Sequence, residues 1–408
     1  MKKIAFPIMT IAAVLFMSGC KQNTEQTFLP LVLNSEGGVV TSQDEESVPS
    51  VPSVPDSSSC NLLPTALSVY GQQGDLTANT ANNGGLSENS LNTPFAVAAD
   101  SSGGLYVSDT TNHRVLYYPS GYTTATKVYG QANFTSNTAA NPPTSGSLNF
   151  PHGIATDSSG GLYVADGSNN RVLYYPSGST TASRVYGQGG DFTTKLANNG
   201  GISADSLNAP RAVAADSSGG LYIADYSNHR VLYYPSGSTT ATRVYGQGGD
   251  FAANSLNNGG RSADSLNNPR GVAVDGSGGL YVADYNNNRV LYYPSGSTTA
   301  TRVYGQANFT ILTADTTADS LVDPTGVAAD SSGGLYVADT TNNRVLYYQS
   351  GSTTASRVYG QLDFTTSAAA SPPTANSLKG PTGLALNTNG GLYIADYSNN
   401  RVLRYICW

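Results

Sequence analysis

Residues 210–234 read PRAVAADSSGGLYIADYSNHRVLYY, and PSGSTTATRVYGQ (235–247) follows. RAVAAD is a short apolar run, SSGG a turn, LYIAD a second run, YSNH a second turn, RVLYY a third run and RVYGQ a fourth. Short runs rich in β-branched and aromatic residues, divided by Gly, Ser and Asn, describe a four-stranded antiparallel meander. The runs are apolar on both faces: by strand alternation Leu221 and Ile223 point one way, Tyr222 and Ala224 the other. A sheet of that kind must be covered on both sides.

The GGLY element begins at Gly103, Gly160, Gly219, Gly278, Gly333 and Gly390, at spacings of 55 to 59 residues. Internal repetition of this length sets the architecture. Six two-faced sheets satisfy one another by stacking face to face in a ring, so the expected fold is all-β, a six-bladed β-propeller. The turn chemistry and strand alternation exclude a helical solenoid. A parallel β-helix has coils much shorter than this repeat.

The stretch PRGVAVDGSGGLYVADYNNNRVLYY (269–293) resembles the NHL repeat, in which a Pro and a small apolar strand lead to YVAD and then to N-H/N-R-V. The resemblance covers residues 94–408 in six copies and implies the same six-bladed propeller. It implies no single activity. Members of that family include RNA-binding and protein-binding platforms, extracellular sensor domains of bacterial kinases, and a lyase that acts on peptide ends.

VYGQ occurs at Val69, Val128, Val185, Val244, Val303 and Val358, so the chain carries a fourth strand before its first blade and lacks one after its last. Residues 66–72 are therefore expected to close the ring as the outer strand of blade six. Aligned on the internal copies, Cys407 falls where Ser177 sits and Cys60 where Pro176 sits, in one hairpin tip. A disulfide between Cys60 and Cys407 is expected, which suits an exported protein.

The segment before the ring has its own composition. Lys2 and Lys3, the apolar run Ile4 to Met17 and Ser18-Gly19-Cys20 resemble a bacterial lipoprotein signal peptide, with Cys20 as the lipidated residue. The match departs from the usual pattern at Met17, where Leu is customary. An ordinary secretory signal with an incidental cysteine is the alternative. Residues 21–60 are polar and include SVPSVPSVPDSSS (47–59), read as an extended tether ahead of the ring at 61–408. The resemblance places the protein at the bacterial cell envelope, with the membrane as a partner through the lipid. Lys21 after the cysteine points to the outer membrane or cell surface.

Six copies in one chain can be compared with each other. The Asp that ends the second run (Asp109, Asp166, Asp225, Asp284, Asp339, Asp396) and the Arg five residues on (Arg114, Arg171, Arg230, Arg289, Arg344, Arg401) occur in all six. They read as a structural ion pair across the turn. His113 and His229 share a slot that holds Asn elsewhere and read as turn residues. Ser-Leu pairs, beginning at Ser90, Ser147, Ser206, Ser265, Ser320 and Ser377, precede each first strand, and their Leu is expected to plug the gap between blades.

The position after the invariant Pro differs: Phe95, His152, Arg211, Arg270, Thr325 and Thr382. In a propeller it opens onto the channel, on the face that also carries the long loops between blades, such as 73–93 and 132–150. These six residues are the candidate ligand-binding set. His152, Arg211 and Arg270 are expected side by side, with Lys195 and Arg261 on nearby loops. Such an arc suits a carboxylate, a phosphate or an acidic glycan group.

The net charge is −7, which argues against a nucleic-acid partner. With three His in total and no carboxylate among the channel-mouth positions, no metal or catalytic constellation is evident, and no cofactor is called for. The expected function is a monomeric binding platform for a protein, peptide or glycan, and not an enzyme. A lyase-like or lactonase-like propeller enzyme and a structural cell-surface protein are the alternatives.

Overall fold

A computed structural model of the chain describes residues 64–388 and 390–406. The expectations for Cys20, for the tether and for the Cys60–Cys407 disulfide lie outside the described residues. Within them the strands form six four-stranded antiparallel sheets, joined by short turns and containing no α-helix.

Blade three shows how the sequence builds each sheet. Its strands are Pro210–Ala215, Leu221–Asp225, Arg230–Tyr234 and Arg243–Tyr245, in that spatial order. Leu221 faces Tyr234 and Asp225 faces Arg230 across the second pair, and Val231 faces Tyr245 across the third. Side chains then sort by alternation as the pattern requires. Leu221 and Ile223 join the cluster shared with blade two, around Tyr163, Val172 and Tyr186. Tyr222 and Ala224 join the cluster shared with blade four, around Val272, Leu280 and Tyr293. Every described hydrophobic cluster spans two neighbouring blades in this way, so the ring has no blade whose core is its own.

The ring closes as its unpaired ends demand. Ser68–Tyr70 pairs antiparallel with Arg401–Ile406, Val69 opposite Leu403 and Tyr70 opposite Val402. The Gln72 amide donates to the Asn400 carbonyl at 2.7 Å, the bond that Gln131, Gln188 and Gln247 make to His113, Asn170 and His229 within their own blades. Closure therefore reuses the ordinary blade contacts across 328 residues.

Edge-to-face tyrosine pairs recur at the blade interfaces, with centroids 5.1 to 5.5 Å apart: Tyr70 on Tyr118, Tyr129 on Tyr175, Tyr186 on Tyr234 and three further copies. The outer strands carry Lys127, Arg184, Arg243, Arg302 and Arg357. Cations on an exposed edge discourage pairing with another chain.

The expected Asp–Arg pair is present in all six blades, Nε to Oδ2 at 2.6 to 2.8 Å and fully buried. Each Arg also ties down both neighbouring loops. Arg230 donates to the Phe251 carbonyl beyond the blade and to the Ser203 and Ser206 carbonyls before it. The other carboxylate oxygen of Asp225 accepts from the Asn208 amide at 2.7 Å, and Asn228 donates to Oδ2 at 2.8 Å. A buried charge with its hydrogen-bonding groups matched is tolerated where an unpaired one is not.

The Leu of each Ser-Leu pair is fully buried against the glycine of a VYGQ strand, whose positive φ and missing Cβ make the space. At Gly246, φ +96°, a Cβ would lie 2.9 Å from Leu266.

Candidate functional site

The strand directions divide the ring into two unlike faces. One face carries the turns DSSGG and PSGSTTAT and their near-copies. The other carries the start of each first strand, the turn between strands two and three, and the long loops between blades. Pro210, which begins a first strand, lies opposite Asp225, which ends a second strand, and this fixes both at the loop face.

At the centre of that face, Phe95, Arg211, Arg270, Thr325 and Thr382 line the mouth of a cavity of about 60 Å³. Immediately below them the strands come very close. A Cβ on Gly271 would lie 1.9 Å from the Thr325 carbonyl oxygen, and one on Gly153 would lie 2.5 Å from the Ala212 Cα. The small residue two places after each Pro (Ala96, Gly153, Ala212, Gly271, Gly326, Gly383) is thus set by backbone contact at the channel wall. The cavity passes this narrow tier and is lined beyond it by Val97, Ile154, Val213, Val272, Val327 and Leu384; its mouth forms a cup.

His152, Arg211 and Arg270 stand together as their consecutive blades require. An Arg211 Nη1 hydrogen donates to His152 Nε2. Arg211 and Arg270 lie 5.0 and 5.5 Å from the same Tyr226 ring, and Arg270 lies over Tyr285 at 3.5 Å. Burial, reinforced by the charges of Arg211 and Arg270, holds His152 well below the usual histidine range. It is therefore a neutral acceptor for Arg211. Burial, then the like charge of Arg270, also lowers the Arg211 pKa. Among the described residues neither arginine has a carboxylate within ion-pair distance.

The remaining mouth positions are neutral. Thr382 donates its hydroxyl to the Phe95 carbonyl at 2.7 Å, and Thr325 shares a 2.6 Å bond with Thr340. Phe95 meets the His152 ring edge to face at 4.8 Å. The cup is positively charged on the side of blades three and four and neutral on the side of blades five, six, one and two. Lys195, on the loop between blades two and three, donates to Asn141 Oδ1 at 3.0 Å between two exposed loops. Arg261 is half-buried on the loop before blade four, with Nε and Nη1 turned inward.

Tyr226, Tyr285 and Tyr397 belong to the mouth, and the reading of the sequence passed over them. They occupy the position after the structural Asp, where the other copies have Thr110, Gly167 and Thr340. This column also varies while its neighbours stay fixed, so comparing the copies there would have found them. The two columns are coupled. A Cβ on Gly167 would lie 2.4 Å from His152 Nδ1, so a glycine stands where the histidine needs room. The loops hold a second feature that was missed. Phe150, Leu196, Leu256, Ile311, Leu312 and Leu362 are exposed on them, Leu362 at 73% and Leu196 at 62%.

The NHL repeat family matches residues 91–118, 148–175, 207–234, 266–293, 321–348 and 378–405, one match in each blade. No curated protein matches the chain. Among solved structures, one of unknown function from Bacteroides thetaiotaomicron VPI-5482 superposes with a TM-score of 0.57 at 17% identity, over 83% of this chain and 75% of that one. A gluconolactonase from Xanthomonas campestris gives 0.50 at 14% identity, over 83% and 98%. A virginiamycin B lyase from Staphylococcus aureus gives 0.45 at 12%, over 77% and 80%. At these identities the likeness is one of fold.

Proposed function

We propose that this ring of six NHL repeats is a binding platform, held at the bacterial cell envelope by a lipid on Cys20, that takes a protein, peptide or glycan on its loop face. The observation that carries the reading is the distribution of exposed apolar side chains. Among the described residues, six of the nine large hydrophobic residues that are exposed lie on loops between blades, whereas the opposite face contributes Tyr122 and, where the ring closes in blade six, Leu67 and Ile406. Exposed apolar side chains concentrated on the loops of one face, around a polar centre, suit a recognition surface. The loops that bear it are held from beneath by the Arg of each blade, so the face is preorganised.

Arrays of peptides and glycans probed with the full chain test the reading. A Leu196→Ser, Leu256→Ser, Leu362→Ser variant should lose most of the captured signal, and Tyr122→Ser should keep it. Equal binding by the loop variant and the parent would remove the loop face from the function.

A further inference from the structure

We infer that the channel mouth is a carboxylate site, formed by Arg211 and Arg270 over the Tyr226 and Tyr285 rings with His152 as the positioning group. This rests on the loop face being the binding face and names the chemistry at its centre.

The charge balance at the mouth calls for an anion. The chain carries 27 acidic residues against 20 basic ones, yet two arginines converge here with no carboxylate paired to either among the described residues. Elsewhere in the ring, a buried arginine is matched by an aspartate in every blade. Two half-buried like charges sharing one ring repel each other, and an anion between them relieves that repulsion and replaces lost hydration.

Both guanidinium groups are held in place. Arg270 is stacked 3.5 Å from the Tyr285 ring, which fixes its plane, and Arg211 is fixed by its bond to His152. Guanidinium groups held this way present N–H donors in a fixed fork, the match for the two oxygens of a carboxylate. The Nε atoms of both arginines are buried without a hydrogen-bond partner in the protein.

The shape of the cavity limits what can enter. The cavity holds about 60 Å³ and is lined beyond its mouth by the small and aliphatic residues of the closely packed first strands, so one small planar group fits at the polar mouth and the rest of the ligand stays outside. Across the cup, the Thr325 and Thr382 hydroxyls are engaged within the protein. That side presents no competing charge, and the anion is directed to blades three and four.

The test is titration of the full chain with sodium malonate at constant ionic strength, read by tyrosine fluorescence and by melting temperature. Saturable binding is expected, weakened by at least about tenfold in the Arg211→Gln, Arg270→Gln variant. Arg270→Lys keeps the charge without the fork and should fall between the two. This single variant carries the test if the double one fails to fold. Competition of malonate by a glutamate decapeptide indicates an acidic side chain of a partner as the source. Binding of malonate without such competition indicates a free carboxylate.

Tighter binding of inorganic phosphate than of malonate overturns the assignment, as does equal malonate binding by the glutamine variant. If loop-face variants still abolish capture of a partner while malonate fails to bind, this inference falls and the platform reading stands.

Discussion

His113 accepts at Nδ1 a 3.1 Å hydrogen bond from the backbone N–H of Phe150, in the loop leading to the next blade. His229 does the same for Asn268 at 3.2 Å, and Asn170, Asn288, Asn343 and Asn400 do it through Oδ1 at 2.8 to 2.9 Å. The two residue types alternate in this slot because each puts an acceptor at the δ position. Both also take up the left-handed backbone, φ 51° to 54°, that closes the turn. Each is a latch from one blade to the next.

Protonation removes the histidine acceptor. Burial lowers the pKa of His113 and of His229, the latter against the opposing pull of Asp284 and Asp225, and His152 lies lower still. A histidine with a folded pKa below its unfolded value, about 6.5, binds fewer protons when folded. Stability is therefore complete above that value and declines as pH falls from it toward the folded pKa. Melting followed from pH 8 to 5 should show that decline. The His113→Asn, His229→Asn variant should flatten part of it and leave the melting temperature at pH 8 nearly unchanged.

Removing one member of a buried ion pair strands the other. Arg230→Met should cost roughly 3–5 kcal/mol, because Asp225 then stays buried with its main counter-charge gone. The loops ending at Phe251 and Ser206 lose their tie as well. Chemical denaturation gives the loss. A cost below about 1 kcal/mol would place the pair among weak surface bridges.

The plug between blades should behave as a core contact. Leu266→Ala is expected to destabilise by roughly 2–5 kcal/mol, as expected for a fully buried leucine. Gly246→Ala should cost roughly 1–3 kcal/mol through backbone strain and the clash with Leu266. Combining the two substitutions should cost less than their sum, since the smaller plug admits the new Cβ.

Truncation before residue 73 should open the ring. Arg401–Ile406 would lose its partner strand and become an exposed edge, and Tyr118 would lose its ring contact with Tyr70. Light scattering should report association, and the melting temperature should drop. A monomeric truncated chain with the parent's melting curve would show that the N-terminal strand is dispensable.

The alternation in LYIAD and its copies determined the blade, and the two-faced apolar pattern determined the ring. Each blade can bury its second face only on a neighbour, and the divided clusters show that burial. The extra VYGQ before the first blade and the missing one after the last likewise determined how the ring closes. These properties were legible because they arise from local periodicity and repetition.

The cup needed the tertiary structure. The residue after each Pro could be picked out by its variation, but Tyr226 reaches Arg270 only because adjacent blades bring the turn of one beside the first strand of the next. Likewise His152 acquires its neutrality from burial and from two arginines of other blades, and a glycine at 167 from its own blade gives it room. The sequence by itself determined the blade, the number of blades and the register of closure, since strand alternation and turn chemistry act over a few residues. Only the folded ring decided which side chains meet at its centre, because charge, burial and ring stacking there depend on neighbours that the chain order keeps dozens of residues apart.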